Sequence, residues 1–135
     1  MLSVSKIHKW NFNSRRRGDV CWLNVIFEYR MPPGGTTLIR HCVIFTCKPE
    51  VDQKTLISAV EKANQVLPGI PCVRSFSAGL DRGLQPGKSG DLAVVADFDS
   101  NEDVIKYLED PIHQNYVHET LYPVIDTRIS VQFEF

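Results

Sequence analysis

Apolar residues recur along residues 39–135 with two different spacings. The two-residue spacing of a β-strand occurs in four stretches, at residues 39–47, 72–78, 91–98 and 128–135. The three- and four-residue spacing of an amphipathic helix occurs twice, after residues that suit a helix N-cap, Asp52 in the first case and Asp99 or Ser100 in the second. The order strand, helix, strand, strand, helix, strand predicts an α+β protein with the ferredoxin-like βαββαβ arrangement, in which helices cover one face of an antiparallel sheet.

The predicted strands differ in whether one or both of their faces are apolar. The first strand carries His41, Val43 and Phe45 on one face and Cys42 and Ile44 on the other, and the third strand is also apolar on both faces. The last strand has one apolar set, which we expect to face inward: Ile129, Val131, Phe133 and Phe135. Its polar set, which we expect to face outward, is Arg128, Ser130, Gln132 and Glu134. The helix-free face of the sheet needs a cover, either residues 20–29 or a second copy of the chain, and we expect a homodimer.

A proline in the second helical stretch separates a tyrosine from a histidine. Pro111 should end one helix and begin the next, with Asp110 as the N-cap of the second helix. Tyr107 lies on the apolar face of the helix before the proline, and His113 lies in the first turn after it. Two interpretations are open: a neutral imidazole and a phenol that exchange protons with a bound ligand, or a core histidine and a half-buried tyrosine that only pack.

Residues 1–38 differ in composition from the rest of the chain. They contain six Lys/Arg and two Asp/Glu, a formal charge of +4, whereas residues 39–135 contain nine and fourteen, a formal charge of −5. A Pro-Pro-Gly-Gly sequence at residues 32–35 is typical of a linker. We therefore divide the chain into a basic N-terminal extension and linker, residues 1–38, and a patterned domain, residues 39–135. Residues 20–29 are an added strand or a leader, and the basic residues 1–18 leave organelle targeting open.

Composition and motif spacing argue against several classes of protein. The chain is 43% hydrophobic and 23% charged, without an apolar run long enough to span a membrane, and its acidic domain does not suit a nucleic-acid surface. Four cysteines without zinc-site spacing indicate reduced thiols and a cytoplasmic location rather than a metal site. The loop from Gly83 to Ser89 has three residues between its glycines, where a nucleotide-binding Walker loop has four. We therefore expect no cofactor.

Residues 39–135 resemble the stress-responsive A/B barrel (Dabb) family. The resemblance rests on residues 39–45, on residues 67–71 (Leu-Pro-Gly-Ile-Pro) with Val73, on residues 91–100, and on Tyr107 with residues 110–113 (Asp-Pro-Ile-His). It implies two ferredoxin-like protomers that pair sheet to sheet as a dimeric α+β barrel.

One plant member of this family is a polyketide cyclase of the olivetolic-acid type, which closes a linear polyketide by an aldol-type condensation. The resemblance places its catalytic tyrosine and histidine on Tyr107 and His113, and a further pocket histidine on His41. The bulky pocket aromatics of that enzyme correspond here to small side chains, which are Ala59, Val60 and Ala63. The substrate of that enzyme is therefore not implied for this chain.

Two functions are compatible with these observations. The first is a homodimeric, stress-associated barrel that binds a small apolar carbonyl compound without catalysis, and contacts neither nucleic acid nor membrane. The alternative is a cofactor-free cyclase or lyase, in which His113 removes a proton and Tyr107 donates to the developing oxyanion. In both cases we expect these two residues in a pocket with six others, His41, Val43, Phe45, Ala59, Ala63 and Tyr116.

Overall fold

The computed structural model of the protein describes residues 37–135, so our expectations for the extension, for residues 1–18 and for residues 20–29 lie outside the described residues. The strands of the described part are β1 (Ile39–Cys47), β2 (Ser75–Leu80), β3 (Leu92–Phe98) and β4 (Ile125–Glu134). The helices are α1 (Gln53–Val66), α2 (Asn101–Glu109) and α3 (Pro111–Tyr116), with a 3₁₀ turn at Leu67–Gly69 and a π-helical turn at Val117–Leu121. The predicted βαββαβ order is confirmed.

One antiparallel sheet contains the four strands in the order β2-β3-β1-β4. β1 and β3 are central, whereas β2 and β4 form the two edges. At the middle of the sheet, Val43 of β1 pairs with Val94 of β3 on one side and with Ser130 of β4 on the other. Directly paired residues share a face of the sheet, so this register assigns every strand residue to the helix-covered or the helix-free face.

Each helix begins at a side chain that accepts a backbone hydrogen bond. The Asp52 carboxylate accepts from the Thr55 amide at 2.7 Å, and the Ser100 hydroxyl accepts from the Asp103 amide at 3.2 Å. Asp110 caps α3 in the same way, because its carboxylate accepts from the Ile112 amide at 2.8 Å. The predicted N-caps are confirmed, with Ser100 rather than Asp99 at the start of α2. Within residues 37–135, no helix combines the length and the apolar character that crossing a bilayer requires.

The core lies between the sheet and the helices. On β1, the alternate residues Ile39, His41, Val43 and Phe45 are buried on the helix-covered face, whereas Ile44 on the other face is exposed. This result confirms that the face carrying His41 points toward the helices, a choice that periodicity alone left open.

The predicted orientation of the last strand was wrong. Ile129 pairs with Ile44, and Val131 pairs with Cys42, so the apolar set of β4 lies on the helix-free face. Ile129 and Val131 are 70% and 55% exposed in the protomer. The polar set lies on the helix-covered face, where Arg128, Ser130 and Gln132 border a cavity. An alternating pattern shows which residues share a face, but both orientations of an edge strand satisfy that pattern.

Two strands begin three residues away from their predicted start. β2 begins at Ser75 rather than at residue 72, because Val73 belongs to a turn in which its amide donates to the Ile70 carbonyl at 3.0 Å. β4 begins three residues earlier than expected, at Ile125. Neither shift changes the order of the elements.

Gly90 allows the loop before β3 to approach β1 closely. A Cβ atom at this position would lie 2.9 Å from the Phe45 carbonyl oxygen and still closer to a methyl group of Ile44. The next residue, Asp91, makes two hydrogen bonds to β1: its amide donates to the Phe45 carbonyl at 2.8 Å, and its carboxylate accepts from the Cys47 amide. The glycine is therefore required by packing at the end of β1.

Candidate functional site

A cavity of about 110 Å³ lies between the sheet and the helices that follow β3. Residues of β1 and β4 form its floor, and residues of α2, α3 and the π-helical turn form its roof. Its mouth lies at the β4 edge, where Tyr122 is 49% exposed and Arg128 is also exposed. Its apolar lining consists of Val43, Phe45, Leu67, Val94, Leu108, Val117, Leu121 and Ile125, and its polar lining of His41, Tyr107, His113, Tyr116, Tyr122, Arg128, Ser130 and Gln132.

Tyr107 and His113 meet in this cavity across the helix break. Their ring centroids are 4.4 Å apart with an interplanar angle of 51°. The Tyr107 ring also contacts Phe98 beneath it, at 5.1 Å, and lies 6.3 Å from the ring of His41 on β1. The three polar rings that the sequence singled out are therefore brought together.

The Tyr107 side chain is buried, but its hydroxyl opens onto the cavity without a hydrogen-bond partner among the described residues. The residue is 2% exposed, and its hydroxyl makes no hydrogen bond to any residue between 37 and 135. Burial raises the pKa of this phenol well above its ordinary value, because the charged phenolate would lose its solvation. At neutral pH the group is therefore a hydrogen-bond donor on the cavity wall.

His113 presents a proton acceptor beside that donor. Its Nδ1 atom lies 3.2 Å from the Leu108 carbonyl oxygen, and because a carbonyl only accepts, Nδ1 must carry the hydrogen. In the neutral ring, Nε2 is then the acceptor. Burial is the largest cause of a lowered His113 pKa and Arg128 lowers it further, while the Leu108 carbonyl and Asp110 act in the opposite direction. The imidazole is therefore neutral near pH 7.

His41 is held in the opposite tautomer. The Gln132 side-chain amide donates to His41 Nδ1 at 2.5 Å, which leaves the hydrogen of the neutral ring on Nε2. Burial, followed by the charges of His113 and Arg128, lowers the pKa of His41. His41 Nε2 can therefore act as a second hydrogen-bond donor in the site.

The remaining predicted residues separate into two groups. Val43 and Phe45 line the floor of the cavity, and Tyr116 lines its roof. Ala59 and Ala63 are buried in α1 but are not among the residues that line this cavity. The Tyr116 hydroxyl donates to the Ala59 carbonyl at 2.9 Å, and burial raises the pKa of Tyr116 to about 12. The alanines therefore let a tyrosine of α3 approach α1.

Four polar residues of the cavity were missed by the sequence interpretation: Tyr122, which follows the π-helical turn, and three residues of β4. Arg128, Ser130 and Gln132 were expected to face outward, and the orientation of β4 instead places them along the floor and the mouth. The signal that could have found them was the unusual composition of β4, whose apolar set matches the apolar second face of β1. Between residues 37 and 135, no group of three or more His, Cys, Asp or Glu side chains is placed to hold a metal ion.

A four-stranded antiparallel sheet with helices on one face and a cavity between the layers defines a ferredoxin-like α+β protein. Residues 39–135 match the family described as the stress responsive A/B barrel domain, Dabb. The chain belongs to this family. A comparison with curated protein sequences gives no significant match.

Solved structures similar to this chain share the same fold. A dimeric ferredoxin-like protein of unknown function from Thermobifida fusca YX is 27% identical with a TM-score of 0.67, over 73% of this chain and 92% of that one. A Dabb family protein with a ferredoxin-like fold from Mesorhizobium loti MAFF303099 is 20% identical with a TM-score of 0.63, over 72% and 95%. A hydroxynitrile lyase from Passiflora edulis is 16% identical with a TM-score of 0.64, over 75% and 95%.

Proposed function

We propose that the protein is a homodimer that binds a small, mostly apolar carbonyl compound in the cavity beside Tyr107. The observation that carries this proposal is the Tyr107 hydroxyl, which opens onto the cavity and has no hydrogen-bond partner among residues 37–135. A ligand oxygen that accepts a hydrogen bond from this hydroxyl would contribute about 0.5–1.5 kcal/mol. The largely apolar lining suits the rest of such a ligand.

The size of the cavity supports a small ligand. Its volume is about 110 Å³. For comparison, an apolar cavity of roughly 150 Å³ accepts benzene. A short-chain ketone or aldehyde fits this space, and larger groups must extend through the mouth between Tyr122 and Arg128. A long polyketide does not match the enclosed part of the site.

Binding of 2-pentanone to the full chain tests the proposal. This ketone combines one carbonyl oxygen with a short alkyl chain, and a ligand of its size should bind in the millimolar range. We expect saturable changes in the NMR signals of residues that line the cavity, such as Tyr107, His113 and Val117, and none at the distant Arg82. Changes that do not saturate, or that spread evenly over the surface, would contradict the proposal.

A catalytic function is the second candidate, and the tautomers of the two histidines favour it. From the Nδ1 contacts, His113 Nε2 is the atom that can accept a hydrogen bond from a ligand, whereas the Tyr107 hydroxyl and His41 Nε2 can donate one. In such a site, His113 would take a proton from the carbon next to a carbonyl, and the C–H electron pair would move into the C=C bond of an enolate. The two donors would stabilise its oxygen. An aldol-type condensation requires these steps.

Exchange of hydrogen for deuterium tests the catalytic candidate without knowledge of the substrate. In D₂O, an enzyme that forms the enolate of 2-pentanone should speed deuterium incorporation next to its carbonyl. The acceleration should disappear in His113→Gln, which keeps a polar side chain but lacks the basic nitrogen. If the wild-type protein gives no acceleration, although the ketone binds, the protein is a binding protein only.

The helix-free face of the sheet supports the proposed homodimer. Ile44, Ile129 and Val131 are 47%, 70% and 55% exposed on this face, which is a large apolar patch for a protomer in water. Burial of such a surface contributes roughly 25 cal/mol per Å². The similar protein from Thermobifida fusca is described as dimeric, which supports the same assembly here.

The proposal also includes a stress-associated role and a cytoplasmic location. The family description supports a stress-associated role. Within the described residues, Cys42, Cys47 and Cys72 are free thiols, which suits a reducing compartment such as the cytoplasm. Microscopy of the tagged full-length protein would test the location.

A further inference from the structure

Among the residues between 37 and 135 that line the cavity, one side chain is permanently charged, and its charge is positive. Arg128 lines the mouth, and the residues of the lining that the structure describes include no Asp or Glu. Arg128 forms no ion pair with any residue between 37 and 135. Its charge nevertheless reaches the interior of the site, because it lowers the pKa values of both His41 and His113. The site therefore has a net positive potential near neutral pH.

We propose that Arg128 binds a carboxylate of the ligand, so that the natural ligands of this cavity are small oxo acids rather than neutral ketones. The inference rests on the proposed function, in which Tyr107 receives the carbonyl oxygen. A guanidinium group presents two parallel N–H donors that match the two oxygens of a carboxylate. The mouth of the cavity allows the carboxylate to stay partly hydrated, so that little solvation is lost on binding.

The register of β4 separates Arg128 from the end of the site where His41 and Tyr107 lie. Arg128 pairs with Phe45, whereas Gln132, the hydrogen-bond partner of His41, pairs with His41 itself. Four strand residues correspond to about 13 Å along β4. The arginine side chain spans part of this distance, and a short alkyl segment of the ligand spans the remainder. The apolar floor of Val43 and Phe45 lies between the two points.

A matched pair of ligands separates this inference from the proposed function. The probes are 4-oxopentanoate and 2-pentanone, which share the same methyl ketone and chain and differ in a carboxylate at the far end. We expect the wild-type protein to bind 4-oxopentanoate at least about tenfold more tightly, as charge-assisted hydrogen bonds to arginine allow. Affinities are measured by NMR titration of the full chain at low ionic strength.

The Arg128→Gln variant should remove this preference, so that it binds the two probes with affinities within about twofold of each other, since the charged contact is lost. If Arg128→Gln does not fold, Arg128→Met is used instead, and the expected result is the same. The control is Arg82→Gln, which removes an equal charge from an exposed residue outside this cavity and should keep the preference.

The outcomes distinguish the carboxylate site at Arg128 from the proposed binding of a carbonyl compound at Tyr107. Equal binding of both probes to wild type, or a preference that survives in Arg128→Gln, overturns the carboxylate site; saturable binding of 2-pentanone then leaves the proposed function intact. If the wild-type protein binds neither probe, both the carboxylate site and the proposed function are wrong.

Discussion

The ring of Tyr107 packs 4.4 Å from the ring of His113, although the two residues belong to different helices. The proline between the helices makes this contact possible. Pro111 has no N–H, so the Tyr107 carbonyl accepts instead from Asp110 at 3.3 Å. The Ile112 amide, which would bond the Leu108 carbonyl in a continuous helix, donates to the Asp110 cap. The Leu108 carbonyl is thereby available to His113 Nδ1, and it also accepts from the Gln114 side chain.

The first prediction compares the same substitution at two buried tyrosines. Tyr107→Phe removes a hydroxyl without a partner among residues 37–135, so the free energy of unfolding should change by less than about 0.5 kcal/mol. The affinity for 2-pentanone should fall about tenfold, because one hydrogen bond to the ligand is lost. Urea denaturation and NMR titration measure the two effects.

Tyr116→Phe is the matched control and should behave in the opposite way. Its hydroxyl donates to the Ala59 carbonyl at 2.9 Å. Loss of this buried hydrogen bond should reduce the free energy of unfolding by about 1 kcal/mol and leave ligand affinity nearly unchanged. If Tyr107→Phe lost more stability than Tyr116→Phe and bound 2-pentanone normally, the Tyr107 hydroxyl would be structural.

The second prediction concerns the pH dependence of stability. Burial lowers the pKa values of His41 and His113 below the ordinary value of 6.5. As the pH falls through 6.5, the unfolded chain binds protons that the folded protein does not bind, so the free energy of unfolding should decrease toward the folded-state pKa values. The stabilisation is fully present above pH 6.5.

Denaturation curves between about pH 7.5 and 5 measure this loss, and NMR titration identifies the groups responsible. The Hε1 signals of both histidines should titrate below 6.5, and His113→Gln should reduce the slope of stability with pH. A His113 signal that titrates above 6.5 would contradict the burial argument, since Asp110 and the Leu108 carbonyl would then dominate.

Features that depend on residues close together in the sequence, such as helix caps, could be predicted. Features that depend on pairing between distant strands could be predicted only in part. N-caps such as Asp52 and Asp110 were predictable because a capping side chain and its amide lie within three residues of each other. The face of β4 was not predictable in this way, since its orientation depends on pairing with β1, more than 80 residues away, and on the partner surface. Arg128 and Gln132 were missed for the same reason, whereas the proline break pointed directly to Tyr107 and His113.

The third prediction compares two aspartates, two residues apart, that pair with arginines. Asp97 is 6% exposed and forms a bidentate pair with Arg40 at 2.7 and 2.8 Å, and its carboxylate also accepts from the Ser75 hydroxyl. The hydrogen bonds from Arg40 are the largest cause of its lowered pKa. Asp97→Asn should reduce the free energy of unfolding by about 1–3 kcal/mol, because a neutral amide loses the charge-assisted hydrogen bonds that the carboxylate accepts from Arg40.

Asp99→Asn is the control for this prediction. Asp99 pairs with Arg74 at 2.7 Å, but the two side chains are 48% and 63% exposed, so water screens the pair and its loss should hardly alter stability. Chemical denaturation of both variants provides the measurement. Equal effects at the two positions would show that burial does not decide the strength of these pairs.

The fourth prediction concerns the close approach at Gly90. Gly90→Ala places a methyl group against the Phe45 carbonyl and Ile44, and overpacking of this kind should reduce the free energy of unfolding by about 1–3 kcal/mol. Gly69→Ala is the control, because its Cβ would meet no atom within 4 Å. Thermal denaturation followed by circular dichroism distinguishes the two. A Gly90→Ala protein as stable as Gly69→Ala would show that β1 and the loop can separate without cost.

The last prediction tests the assembly through two equally exposed apolar residues. Val131 on the helix-free face and Ile105 on α2 are both 55% exposed in the protomer. Val131→Lys places a charge within the proposed interface, where its desolvation is unfavourable, so light scattering should show half the mass of the wild-type particle. Ile105→Lys, on the opposite side of the sheet, should keep the wild-type mass. If the wild-type protein is a monomer, or if Ile105→Lys dissociates it and Val131→Lys does not, the dimer does not form through the helix-free face.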